Sequence, residues 1–384
     1  RNITIGAVVG MLLSCTVAMG ADTTDTEEVG LNITNNGSRI KVDKVFPDNT
    51  LKGNTYTNNT EISVDKTTGT ERAIGVKIDG ENKKTNLTLK NNGVISGKSS
   101  VGDAHGIKVE NLGENSKFKF INNGEVSGET TVTGADRNYG YGFYIFGDKN
   151  KNIDFSFQNN GLISGKSSDA FGYGVRIFNV KTDGSFENNG TILGESLTNA
   201  ASSRVDMGYG ISLREFYSNG FVLQNNGLIS GKNVYGIGYG AHITSSSGDN
   251  FTFANNGTIL GEGATGNSDN VGYGIYLSLI SGSGFTLENN GLISGKGYRS
   301  YGIYVGYNKA NIETLENNGL ILSYGIYTGY GIYTTTGGAV ENIVSSITTL
   351  ENNGLILVSG SGIALQATEG DAETLINNGS ILAA

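Results

Sequence analysis

The tripeptide Asn-Asn-Gly recurs eleven times in this chain, at residues 35, 91, 122, 159, 188, 225, 255, 289, 317, 352 and 377. An array of this kind is one short supersecondary unit stacked on itself, because such a unit buries its apolar side only against the next copy. The fold is therefore a solenoid.

The residues around the tripeptide keep their type while their identity drifts. Two positions before the first Asn sits a large apolar residue, from Leu89, Phe120 and Phe157 through to Leu375. Four positions after it sits Ile or Val, from Ile95, Val126 and Ile163 through to Ile381. Both columns must face a core. Polar residues alternate with them, as in Phe118-Lys119-Phe120, and that period of two marks strands. Upstream lies a second strand that opens on Gly, as in Gly174-Val175-Arg176-Ile177 and Gly274-Ile275-Tyr276-Leu277. Three short strands joined by turns make one coil of an all-β, single-stranded parallel β-helix. Right-handed winding is expected from the general preference of parallel crossovers. About 10 to 12 coils, at the spacing of paired strands, give a rod roughly 50 Å long.

Corners such as Asn159-Asn160-Gly161 and Asn225-Asn226-Gly227 suit a turn, since Asn and Gly tolerate positive φ and the amide of Asn bonds nearby backbone. Stacked copies also bring Asn amides together, as in other cross-stacked sheets. The Asn column is thus structural, and sequons such as Asn86-Leu87-Thr88 are by-products of it. Sixty Gly, a single Pro (Pro47) and no Trp agree with many tight turns between ladder strands. The net charge of −9 is spread out with no basic stripe, which argues against a nucleic-acid partner. Nothing in the chain calls for a cofactor.

Residues 1–20 have another character: an apolar run ends in Ala18-Met19-Gly20, which fits a signal-peptidase site before Ala21. Leu12-Leu13-Ser14-Cys15 also fits a lipobox, with Cys15 as the lipid-bearing residue of an anchored surface-layer protein. Residues 21–70 are expected to form an N-terminal cap and first irregular coils. Residues 71–384 are the repeats, which stop inside a copy, so a C-terminal continuation is expected.

With a signal peptide, a mature chain lacking Cys and repeats such as Glu-Asn-Asn-Gly-Leu-Ile-Ser-Gly-Lys, the sequence resembles the passenger region of Gram-negative type V autotransporters. The resemblance implies a β-helix carried to the cell surface or released, exported by a C-terminal β-barrel in the outer membrane, and acting as an adhesin. Its partners would be glycans or proteins of host or bacterial cell surfaces.

Several columns are candidates for function. Seven residues after the first Asn, in the seven consecutive copies from Asn91 to Asn289, the charge alternates through Lys98, Glu129, Lys166, Glu195, Lys232, Glu262 and Lys296, so the true repeat is a pair of coils. Long polar loops follow the Glu coils, carrying Arg137, Arg204 and Asp206 as candidate binding residues. On the outward side of the Gly strand, Tyr276, Tyr304 and Tyr333 form a stripe suited to sugar rings or a protein partner. Tyr141, Tyr173, Tyr209, Tyr239, Tyr273, Tyr301 and Tyr330 share parity with the core and are expected to pack there. Glu288, Glu316 and Glu351 stack like charges that a hard cation such as calcium would bridge. The rival class is a polysaccharide-degrading β-helix enzyme, which needs converging acids and bases. The outward Gly-strand column holds no Asp or Glu, and His105 and His242 lie in separate coils, so no catalytic residue is expected.

Overall fold

The computed structural model describes residues 27–35, 40–43, 49–69, 72–132, 138–197, 206–266, 269–306, 312–335, 347–366 and 374–383. All regular structure among them is β-strand, and it forms a parallel β-solenoid. Each coil has three faces. Face A leads into Asn-Asn-Gly, face B leaves it, and face C is the Gly strand.

Apart from shifts at Phe285/Thr286 and Gly297/Arg299, pairing is in register along the faces because like residues sit on like residues. On face A, Phe120 lies between Leu89 and Phe157, and Asn122 between Asn91 and Asn159. On face B, Val126 lies between Ile95 and Ile163. Face C brings Phe143 between Ile107 and Val175. Shifting any strand by one residue would turn its apolar set to water, which holds the register. The inward columns form one continuous core, fully buried at Phe120, Phe157, Ile163 and Ile177, with Phe157 and Phe186 stacked 4.2 Å apart. Each such side chain contributes about 1.5–3 kcal/mol by burial.

The Asn corner works differently from the expectation. None of its residues has a positive φ among those described. Gly161 is required instead by close stacking, because a Cβ there would overlap the carbonyl of Gly124 in the coil below. Left-handed backbone falls at the opposite corner, between faces C and A, at Asn111, Asn179, Glu215, Ser245 and Leu279 with φ of 51–56°. The expected amide stacking is present. Each buried first Asn donates to the next coil, as in Asn159 Nδ2 to Asn188 Oδ1 at 2.8 Å. Each exposed second Asn donates the other way, as in Asn160 Nδ2 to Asn123 Oδ1 at 2.8 Å.

Between faces B and C the chain makes a narrow fin. Face B runs past the core through Gly165, turns, and returns through Gly172 and Tyr173. The two limbs touch so closely that a Cβ on Gly165 would overlap the carbonyl of Tyr173. Buried Ser167 closes the tip, accepting from Ala170 N–H at 2.9 Å and donating to the Asn138 carbonyl at 2.8 Å.

Parallel pairing already includes the first described strand, Glu27–Asn35, which lies on Arg72–Asp79. Asn58 and Asn59 join the two amide ladders, so the stacking crosses the boundary expected near residue 70. Antiparallel pairs join residues 33–35 to 40–42 and 50–52 to 55–57. The leader expected at residues 1–20 lies outside the described residues.

Candidate functional site

Face C carries the chemistry because of one bend. Gly174 and Val175 both turn toward the core, since a Cβ on Gly174 would meet the Ile192 side chain and Val175 is fully buried. Alternation therefore breaks there. Tyr173 faces outward beside Arg176, and the Tyr column forms a cluster apart from the core. The rings are buried as expected, 4–7% exposed from Tyr141 to Tyr239, but in a cluster of their own rather than in the main core. They pack on each other, on the face C side of the coil and apart from the central apolar columns.

The ladder starts at His105, 4.6 Å above the ring of Tyr141. It continues through Tyr173–Tyr209 at 4.7 Å and 2° and Tyr239–Tyr273 at 5.0 Å and 5° to Tyr301–Tyr330 at 5.4 Å. Spacing between paired strands sets that distance, so each ring within the ladder lies between two others. Burial pushes the Tyr173 phenol up to about 12, against the opposing pull of the Arg176 guanidinium.

Tyr276, Tyr304 and Tyr333 make a second ladder at 4.8 and 5.5 Å. Their edges meet the first, as in Tyr273–Tyr276 at 5.1 Å and 78° and Tyr301–Tyr333 at 5.3 Å and 64°. Tyr304 is buried and the other two are half-buried. The stripe faces outward as expected, yet its ring faces are already stacked on one another. His242 stands beneath Tyr276 at 5.2 Å, and burial foremost, then Arg214 and Arg176, lowers its pKa to about 3.

Further along face C, the outward column two residues on contains Asp79, Glu110, Phe146, Phe178 and Arg214 in register. Extending the repeat alignment by two positions would have found it. Near its start Glu110 bridges Lys77 at 3.1 Å and Lys108 at 3.0 Å, and Arg72 meets Asp103 at 3.3 Å. Acids and bases thus do converge in these coils, unlike the reading from the Gly-strand column alone. Burial raises the Asp103 carboxyl despite the Tyr139 N–H it accepts at 2.8 Å. These side chains are tied to one another in ion pairs.

The remaining candidates fare as follows. Arg137 and Arg204 lie outside the described residues. Asp206 is buried at the loop base, where its carbonyl accepts from the Asn233 amide, so it is not presented to a partner. The Glu column is in register, but each carboxylate accepts from the second Asn of its own corner, as in Asn290 Nδ2 to Glu288 Oε1 at 2.7 Å and Asn318 Nδ2 to Glu316 Oε1 at 2.9 Å. Glu351 is held the same way, by Asn353 at 3.0 Å. Among the described residues no group of three or more His, Cys, Asp or Glu has a metal-holding arrangement. The alternating charge column is present as loose exposed pairs, such as Glu129 with Lys98 and Lys166, both at 3.8 Å.

Comparisons with protein-family models, with curated proteins and with solved structures find no match for this chain.

Proposed function

We propose that this chain is a surface interaction rod, an adhesin-like passenger of an autotransporter, that engages partners along face C and the fin beside it. The carrying observation is a rigid wall of stacked aromatic rings edged by exposed apolar ones. Tyr324, Ile326 and Tyr327 are 57–67% exposed at the fin, and Tyr327 stacks on Tyr298 at 5.5 Å. Exposed aromatic clusters on a rigid scaffold are characteristic of interaction surfaces. Export, residence at the outer membrane and a C-terminal β-barrel belong to the same reading, as do cell-surface glycans or proteins as partners.

A binding role is preferred over polysaccharide cleavage because the carboxylates of the Arg72–Glu110 cluster are engaged by cations, whereas glycoside hydrolysis needs two that face one sugar bond. The full chain should bind host or bacterial cells in a pull-down and release no sugar from pectin, dextran or host glycans. Replacing Tyr324, Ile326 and Tyr327 together by Ser should weaken cell binding by about tenfold or more, as expected when a central aromatic cluster is lost. Unchanged binding by that variant, or turnover of a polysaccharide, would overturn the reading.

A further inference from the structure

We infer that Arg176, Arg214, Phe178 and Phe146 form a binding site for an anionic saccharide, one bearing carboxylate or sulfate groups. This rests on the reading of face C as the interaction surface and names the chemistry that it takes. Phe178 holds a guanidinium from each of two successive coils, Arg176 at 5.2 Å and Arg214 at 5.8 Å from its ring centre. Arg176 also lies over Tyr173 at 4.9 Å and Tyr144 at 5.7 Å. Its Nη1 donates to the Tyr141 hydroxyl at 3.1 Å, while its buried Nε has no hydrogen-bond partner. Among the described residues no carboxylate lies within ion-pair distance of Arg176, and Arg214 has only Glu215, at 3.9 Å.

Two cations held side by side with one loose counter-charge, in a chain of net charge −9, make a local positive field. A guanidinium presents parallel N–H donors that match the paired oxygens of a carboxylate or sulfate. Phe146, 39% exposed and 5.6 Å from Phe178, adds a flat apolar surface on the next rung. The C–H face of a pyranose covers such a ring while its acidic substituent reaches the adjacent guanidinium. Cations and rings on neighbouring rungs suit a polymer whose charges also repeat. The position is separate from Tyr324 and Tyr327, which lie several coils further along.

Isothermal titration of the full chain with four probes tests the site: a hexuronate oligosaccharide, a sulfated oligosaccharide, a neutral glucan of equal length, and polyglutamate of equal charge. One or both acidic sugars should bind, and which does so identifies the anion; the neutral sugar and polyglutamate should bind at least tenfold more weakly. Arg214→Gln, at an exposed side chain, and Phe146→Ser should each lose about tenfold in affinity for that sugar, the scale of one charge-assisted hydrogen bond or one stacking contact. Unchanged melting temperatures for both variants confirm that folding is intact, and Arg176→Lys, which keeps charge but loses the fork, serves if Arg214→Gln unfolds. Equal binding of polyglutamate or neutral glucan, indifference to the variants, or no binding of either acidic sugar would overturn the site. If cell binding persists when the acidic sugars fail, the interaction-rod reading survives alone.

Discussion

Asn188 ties three coils together through one buried side chain. It accepts from Asn159 Nδ2 at 2.8 Å, and its own Nδ2 donates to Asn225 Oδ1 at 2.8 Å and to the Gly190 and Leu228 carbonyls at 3.3 and 3.2 Å. Asn188→Ala would take the donor from Asn225 Oδ1 in a dry corner, while Asn159 Nδ2 keeps the Gly161 and Thr191 carbonyls, both at 3.2 Å. The expected loss is about 1–3 kcal/mol, read by urea unfolding, because an unmet buried polar group costs more than a made bond gains. The same substitution at the exposed partner Asn189 should cost under about 1 kcal/mol, since water replaces its bonds. A equal loss at the two positions would contradict this account. The recurrence of Asn-Asn-Gly made the amide column legible in the sequence. It did not reveal that the first Asn is buried and the second exposed, nor that Gly161 serves close stacking rather than a turn, because residue type alone does not separate a positive φ from a missing Cβ.

At the scale of the element, the fin is the unit that sequence periodicity missed. Counting by two from Val175 puts Tyr173 in the main core; the bend at Gly174 puts it in the separate buried Tyr cluster. Such a bend leaves no mark in apolar alternation beyond a glycine in a chain that has 60. The fin depends on Gly165, whose replacement by Ala would drive a Cβ into the Tyr173 backbone and force the two limbs apart. About 3 kcal/mol or more should be lost, as for overpacking that meets backbone, with local hydrogen exchange rising at Tyr173 and Tyr209. Gly266→Ala, where no atom lies within 4 Å of the added Cβ, should stay within about 0.5 kcal/mol of the parent. Thermal melts of the pair separate the two expectations. Should both variants melt alike, close packing of the limbs is not what demands glycine. The separate Tyr ladder explains why the fin survives with so little core of its own: its outer limb is clad in rings stacked at strand spacing.

For the whole molecule, stability is a sum over rungs and their interfaces, as in any solenoid. The sequence showed a two-coil period through its alternating charges, and the pairing of Glu129 with Lys98 and Lys166 puts that alternation in register. Removing residues 160–225 would join Asn159 to Asn226 and set Lys232 beside Glu129, keeping the charge order, the core columns and the rhythm of long and short loops. Removing residues 160–188 would join Asn159 to Asn189 and set Glu195 beside Glu129, with two long loops on adjacent rungs. The larger deletion takes away more core, yet it leaves every remaining interface like one already present. It should fold with a urea dependence reduced in proportion to the lost surface. The smaller deletion should lose on the order of 0.5–1 kcal/mol extra at its junction from like charges, and salt should restore part of that loss. Two-coil periodicity predicts this inverted ranking of junction cost against deletion length; single-coil periodicity predicts equal junctions, with salt acting alike on both.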